Sequence, residues 1–255
     1  MKTLILDIET APSMAYVWSF WKQNVGHDMV ADYGGYIMSC SLKWLGSDEV
    51  IYLENRKEND KKIVTKICKY LDEADFVIAH NGKKFDIPFI KARAVINNVP
   101  PPSPYKVIDT LQIAKKEMMF KRNTLQYIAE ALDVPLRKLD HARYPGFKLW
   151  LGCLNGEEGA WQEMKKYNIM DVEVLEQVYL RLRPWSSNHP NILLDQQLDS
   201  IACPRCGSYD VGKRGFYTTN KGKYQRYCCG NCGGWSSETY MINSIEDRKK
   251  LLASR

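Results

Sequence analysis

Leu4, Leu6 and Ile8 alternate with Thr3, Ile5, Asp7 and Glu9 along Lys2–Glu9, the period-two pattern of a β-strand with two unlike faces. Tyr36–Leu45 and Glu49–Glu54 read as a hairpin around Gly46–Asp48. In Lys57–Ala74 the period lengthens, and Ile63, Ile67, Tyr70 and Leu71 recur on one helical face. Asp75–His80 is a short apolar strand and Asn81–Lys84 a polar loop. The helix after it carries Pro88 in its first turn, where a missing N–H costs little. The Pro100–Pro104 loop leads to a strand at Tyr105–Ile108. Asp109–Arg183 is mostly helical, with a start at Asn123–Thr124 and a long helix over Ala160–Leu182. This order predicts an α/β fold, a mixed sheet covered by helices. The run Tyr16, Trp18, Phe20 and Trp21 interrupts it. Aromatic side chains bury well and this segment must cover the sheet, so core packing is expected, with stacking on single-stranded bases as the other use.

Composition narrows the class. Of 255 residues, 45% are hydrophobic and 26% charged, enough for a substantial core, which excludes global disorder. The run Leu4–Ile5–Leu6 is cut by Asp7, so no signal peptide is expected. No stretch approaches the roughly 20 apolar residues of a membrane span. A soluble, cytoplasmic protein without a membrane partner is predicted, and its eight cysteines need an explanation other than secretory disulfides.

The net charge of +6 is unevenly spread. Residues 1–200 hold 26 basic and 26 acidic side chains, whereas 201–255 hold ten basic and four acidic ones, and so the whole surplus. Five of the eight cysteines lie in that last fifth. Pro184–Ser200 dilutes any apolar periodicity and marks a boundary. The expected organisation is a large domain over 1–185, a linker over 186–200, a small module over 201–242 and a basic, helical tail over 243–255.

Acidic residues fall at element ends. Asp7 and Glu9 project from one face of the first strand, Asp86 stands at a helix entry, and Tyr167 and Asp171 share a helix face at i and i+4. Taken singly, each has a plain alternative: a solvated strand edge, an N-cap, a surface pair. Taken together, acids from three separated elements fit a cage for hard Mg²⁺ or Mn²⁺, which take oxygen ligands.

Three runs carry a family resemblance: Asp7-Ile8-Glu9-Thr10, then His80 to Ile90 (HNGKKFDIPFI), then Tyr167-Asn168-Ile169-Met170-Asp171. They resemble the motifs of the DEDD superfamily of 3′→5′ exonucleases, which have a ribonuclease H-like fold. Tyr167, four residues before the last acid, resembles the tyrosine branch, similar to the proofreading domains of family-B DNA polymerases. Position 166 is Lys, so the histidine branch is not matched. Val107–Thr110 and Arg122–Leu125, with Ile128, Ala129 and Leu132, resemble the segment between the second and third motifs. The resemblance covers about Met1 to Arg183 and implies a mixed five-stranded sheet flanked by helices. It also implies that Asp7, Glu9, Asp86 and Asp171 hold two Mg²⁺ or Mn²⁺ ions, and that Tyr167 orients the attacking water. A phenol with a pKa near 10 is a poor general base, which fits orientation. Thr10, Asn81 and Phe85 become candidate contacts to the terminal nucleotide. Against that, Asn81 closing a turn and Phe85 lying in the core stand as equal readings. Asp109 lies outside the four acids and is expected to buttress them or to cap a helix. His80, His141 and His189 are read as structural.

Cys203-Pro204-Arg205-Cys206-Gly207 and Cys229-Gly230-Asn231-Cys232-Gly233 form two C-x₂-C knuckles separated by 22 residues. Each brings two thiolates to one turn, and together they complete a tetrahedral Zn²⁺ site. The run resembles a zinc ribbon, with Cys228 a bystander. A redox dithiol or a disulfide pair are the rival readings. Lys213, Arg214, Lys221, Lys223 and Arg226 alternate with Phe216, Tyr217, Tyr224 and Tyr227, a mixture suited to single-stranded nucleic acid. Lys213, Arg214, Lys223 and Arg226 are the candidate contacts. The rivals are a solvated ribbon whose aromatics shield the zinc, and a module docking a replication or repair protein.

The expected activity is metal-dependent 3′→5′ exonuclease hydrolysis of single-stranded or 3′-frayed nucleic acid, DNA favoured, with two Mg²⁺ or Mn²⁺ and one structural Zn²⁺. The alternatives are an exoribonuclease, and a nucleic-acid-binding adaptor with an inactive nuclease domain.

Overall fold

The computed structural model describes residues 1–135, 143–220 and 222–252. His141, Lys221 and Arg255 lie outside the described residues. Contacts divide the chain into two units, Lys2–Tyr179 and Leu180–Arg255, the latter with Met1.

The first unit begins with β1 (Thr3–Thr10), β2 (Met14–Ala15), β3 (Val30–Asp32), β4 (Ile37–Trp44), β5 (Val50–Glu54), α1 (Lys61–Asp72), β6 (Phe76–Ala79) and α2 (Asp86–Ile96). It continues with β7 (Lys106–Asp109), α3 (Thr110–Glu117), α4 (Leu125–Ala131), α5 (Lys148–Leu154) and α6 (Glu158–Leu182), the last three residues of which are counted with the second unit. Five strands form one mixed sheet in the order β5-β4-β1-β6-β7, as expected. β1 runs antiparallel to β4 and parallel to β6, and β6 is parallel to β7.

The two faces of β1 meet different layers. Leu4, Leu6 and Ile8 pack with Cys40 and Leu42 of β4 against Ile63, Ile67 and Leu71 of α1 and Ile87 and Ile90 of α2. On the opposite face Asp7 pairs with Ser41 and Glu9 with Ser39, and the register then skips Met38 before Thr10 meets Ile37. The skip is a β-bulge, placed where β1 delivers its acids. Met38 joins a second core with Leu149 and Cys153 of α5 and Ala160, Trp161 and Met164 of α6. Fully buried Asp60 ties the layers, accepting from Ile37 N–H (3.0 Å), the Arg93 guanidinium (2.8 Å) and Asn97 Nδ2 (2.7 Å).

One expectation fails. Tyr16, Trp18, Phe20 and Trp21 do not pack in the core; they are 76–97% exposed. Their service is not needed there, because α1 and α2 cover one face of the sheet and α5 and α6 the other. Phe85 likewise lies outside the core, 42% exposed, its ring 5.9 Å from that of Phe89.

In the second unit β8 (Val211–Thr218), β9 (Lys223–Cys229) and β10 (Trp235–Ser237) form an antiparallel sheet in the order β10-β9-β8, and α7 (Ile245–Lys250) follows, capped by Ser244. The 186–200 segment is tied to this sheet's knuckles. Ile192 N–H donates to Pro204 O (2.9 Å), Arg205 donates to Ser186 O (3.1 Å), and Leu193 is buried.

Candidate active site and metal centres

Asp7 and Glu9 reach the site from the C-terminal half of β1, and Asp171 reaches it from α6. One carboxylate oxygen from each lies within 4.8 Å of the other two. Asp86 stands outside this trio, buried as the first residue of α2, with Oδ1 accepting Ile8 N–H at 3.3 Å. Its charge is nonetheless felt, for it raises the pKa of both Asp7 and Glu9.

All four carboxyls are shifted the same way, upward, by burial and, for Asp7 and Glu9, by their neighbours. Withdrawal from water, then the charges of Glu9, Asp86 and Asp171, hold the Asp7 carboxyl well above the usual range. Burial first, then Asp171 and Asp86, push Glu9 to about 8. Burial pushes Asp86 and Asp171 to about 6 each. The groups that pull back are hydrogen-bond donors: Asn168 on Asp7, the Trp150 side chain on Glu9, and Tyr167 on Asp171. Buried carboxylates facing one another without a cation are costly, and an all-oxygen donor set of this kind fits Mg²⁺ or Mn²⁺.

Tyr167 donates its hydroxyl to Asp171, and burial with the charges of Asp171, Glu9 and Asp7 pushes the phenol up. Its ring meets Trp150 edge-on, centroids 6.0 Å apart. Trp150 thus touches two members of the site, and the sequence carried no sign of it. Asn168 was also missed. It is fully buried in the apolar stripe of α6, where Nδ2 donates to Asp7 Oδ2 (2.7 Å) and Oδ1 accepts from Ser39 and Ser41 Oγ (3.2 and 3.0 Å). The available signal was an amide standing in line with Trp161, Met164, Val172 and Leu175, a core position that demands hydrogen-bond partners.

Asp109 caps α3, accepting from Leu111 and Gln112 N–H. The same carboxylate also accepts from Asn81 N–H (3.0 Å) and Lys83 N–H (3.1 Å), so it holds the loop that precedes Asp86. Within that loop Asn81 has φ +66° and its carbonyl accepts from Lys84 and Phe85 N–H, the geometry of a turn. A Cβ on Gly82 would come within 2.3 Å of Ala79 Cβ, so this close turn against β6 requires glycine. His80 bridges Thr110 Oγ1 and Asn123 O, both at 2.9 Å; burial lowers its pKa, and it serves as a neutral strut. His189 is similar: burial takes it down to about 4, and Nδ1 lies 2.7 Å from Pro190 O. Thr10 ends β1, half-buried, directly beyond the bulge.

In the second unit Cys203, Cys206, Cys229 and Cys232 gather with their sulfurs all within 4.8 Å. Both knuckles close alike, Gly207 N–H on Cys203 O (2.9 Å) and Gly233 N–H on Cys229 O (3.0 Å), each glycine at positive φ. Cys203–Cys232 and Cys206–Cys229 sulfurs lie 3.7 Å apart, too far for the ~2.05 Å disulfide bond. Zn–S bonds of ~2.3 Å in a tetrahedron put sulfurs ~3.8 Å apart, so the cluster fits zinc. Burial raises Cys229, but the N–H groups of Cys232 and Asn231 and the thiols of Cys206 and Cys232 together outweigh it and bring the thiol to about 7. Cys228 is outside the cluster. Of the basic residues, Lys213 and Arg214 are exposed on β8, Lys223 lies over the Phe216 ring (4.0 Å), and Arg226 over the Trp235 ring (4.6 Å).

Fold and site together define an RNase H-like nuclease-type domain, and comparison with known proteins agrees. Residues 30–183 match the RNase_H_2 family, and the chain belongs to the RNase_H superfamily. The match includes Asp86, Tyr167 and Asp171 and stops short of β1, so Asp7 and Glu9 lie outside it. A DNA polymerase of Methanocaldococcus jannaschii is 24% identical over 198 residues, 76% of this chain and 10% of that polymerase. Among solved structures, the family B DNA polymerase from the hyperthermophilic archaeon Pyrobaculum calidifontis aligns with a TM-score of 0.51. The identity is 14%, over 72% of this chain and 25% of that one, and the likeness is one of fold. The chain thus spans a tenth to a quarter of the length of these relatives. No helix among the described residues is long and apolar enough to cross a membrane.

Proposed function

We propose that the chain is a metal-dependent 3′→5′ exonuclease of the tyrosine branch of the DEDD superfamily, acting on single-stranded or 3′-frayed DNA. The observation that carries this reading is the convergence of Asp7, Glu9 and Asp171 on one spot, with Tyr167 bonded to Asp171 and Asp86 close enough to raise its neighbours. The alignment with polymerases named for DNA supports the choice of DNA.

Asp7, Glu9, Asp86 and Asp171 would hold two Mg²⁺ or Mn²⁺. When bound, the ions supply charge for the leaving oxygen and acidity for the attacking water. The protein's own task is positioning. Asn168 fixes the Asp7 carboxylate, Trp150 fixes Glu9, and Tyr167, its proton committed to Asp171, presents an oxygen that can accept from water. Since the phenol is pushed above its ordinary pKa, it orients the water without deprotonating it. Thr10, at the end of β1, and Asn81 and Phe85, between β6 and α2, would contact the terminal nucleotide. Residues 201–242 form the zinc ribbon, with Cys203, Cys206, Cys229 and Cys232 as ligands and Lys213, Arg214, Lys223 and Arg226 offered to phosphates.

The test is digestion of 3′- and 5′-labelled DNA and RNA single strands with Mg²⁺, Mn²⁺ or EDTA. Stepwise loss from the 3′ end of DNA, abolished by EDTA and by Asp7→Ala, is expected. Folded protein that degrades neither polymer would overturn the proposal, and faster loss of RNA would turn it toward an exoribonuclease.

A further inference from the structure

We infer that Tyr16–Val25 is a stacking surface for unpaired bases of the substrate strand, upstream of the nucleotide being removed; this rests on the nuclease reading above. The segment leaves the sheet where the acids stand. β1 ends at Thr10, and the next residue continues the pairing with the strand beside it: Ala11 N–H donates to Tyr36 O (2.9 Å) and Gly35 N–H to Ala11 O (3.0 Å). Gly34, φ +51°, lies so close that a Cβ would approach Pro12 O to 2.2 Å. Two residues further, β2 pairs with β3, and Tyr16 N–H donates to Met29 O (2.9 Å), closing the base of a loop. The loop's return arm is pinned by Tyr33, whose hydroxyl donates to His27 O (3.2 Å).

The outgoing arm carries Tyr16, Trp18, Phe20 and Trp21, all exposed and therefore presenting ring faces to solvent. A run of aromatic side chains with no core to fill, on a loop whose base pairs directly after the strand that carries Asp7 and Glu9, is joined by a few residues of chain to the site that takes the strand's end. The occupant follows from the chemistry of the arm. Tyr16–Val25 offers flat rings and a single cation, Lys22, and the chain has no surplus positive charge before residue 201. It is poorly made for gripping phosphate but well made for π-stacking, which every base accepts and which salt screens little. Tyr16 lies seven residues beyond Glu9, a reach of at most ~25 Å, so a strand several nucleotides long can touch both.

The experiment pairs a long and a short substrate. Affinity for a fluorescein-labelled oligothymidylate of roughly twenty nucleotides is measured in EDTA by anisotropy, at low and high salt, for wild type and Trp18→Ala/Phe20→Ala. Hydrolysis of the p-nitrophenyl ester of thymidine 5′-monophosphate is followed with Mn²⁺. The double variant is expected to bind the oligonucleotide roughly tenfold or more weakly at both salts. Its salt slope and melting temperature should stay as in wild type, and the mononucleotide ester should be cleaved at the wild-type rate. Unchanged oligonucleotide affinity would overturn the inference. So would a shallower salt slope, which would mean phosphate contact. A wild-type protein that cleaves neither this ester nor the labelled strands of the digestion described above would sink the nuclease reading instead, while the binding arm still reads the loop.

Discussion

Asn168 Nδ2 stands 2.7 Å from Asp7 Oδ2 while its own carbonyl takes the hydroxyls of Ser39 and Ser41. One buried amide therefore couples the third motif's helix to both strands that carry or oppose the first. Asn168→Ala would leave Ser39 and Ser41 without that acceptor and Asp7 without its donor. A loss of about 1–3 kcal/mol of stability is expected. Activity should fall at least tenfold, by analogy with the cost of removing residues that orient metal ligands. Denaturant unfolding and Mn²⁺ titration would check the two effects separately; an unchanged Mn²⁺ affinity would show that Asp7 needs no such support.

Tyr167→Phe keeps the ring against Trp150 but removes the hydroxyl on Asp171. Hydrolysis should fall about 10–100-fold while Mn²⁺ binding stays near wild type. Because burial and the neighbouring acids push the phenol above its ordinary pKa, wild type and variant should share the shape of their rate–pH profiles up to pH 10. An alkaline limb present in wild type and missing in the variant would make Tyr167 a base.

Carboxyls in an unfolded chain titrate near 4. In the folded chain Glu9 keeps its proton up to about 8, and Asp86 and Asp171 to about 6. Between pH 4 and 8 the native state therefore binds more protons than the unfolded one, and this cluster's contribution to stability is lost as pH rises. Divalent metal offsets that loss. Calorimetry should find that Mn²⁺ raises the melting temperature more at pH 8 than at pH 5, with a smaller difference in Asp7→Asn. An equal gain at both pH values would contradict the cage.

Asp109→Ala removes the acceptor for Leu111, Gln112, Asn81 and Lys83 N–H at once. Loss of the cap alone costs about 1 kcal/mol, and loosening the Asn81–Lys84 loop should add to it. The catalytic signature expected is a raised KM for oligonucleotide with a smaller change in kcat. A fall in kcat alone would place Asp109 among the reacting groups.

Elemental analysis should find one zinc per chain, lost in Cys206→Ser. Chelation should unfold Leu180–Arg255, detected by protease cleavage there, and leave the melting of Lys2–Tyr179 intact. Zinc-free protein that resists cleavage as well as the native chain does would refute a structural metal.

The sheet was legible because its strands announce themselves: the alternation in β1, the apolar β6, the hairpin of β4 and β5. Asp7, Glu9, Asp86, Tyr167 and Asp171 could be picked out because their spacing is a motif. Asn168, Ser39 and Ser41 could not, since their role appears only when α6 lies across β4. Trp150 sits on a short helix in a stretch readable only as broadly helical. The aromatic run at Tyr16–Trp21 misled for a different reason. Hydrophobicity reports what a side chain gains from leaving water, and says nothing of whether the intended face is already taken.

The long helix α6 touches β4 at two polar points eight residues apart. Asn168 takes Ser39 and Ser41, and Glu176 takes Lys43 and accepts Gly46 N–H at 2.8 Å. Asp171 lies between them. A single inserted residue in that interval would rotate everything after it by about 100° and advance it by about 1.5 Å, breaking one pair whichever way the helix shifted. The distance is thus a gauge cut into the protein. Lineages of this chain are expected to vary freely in loop length, yet to count the same eight steps from amide to acid.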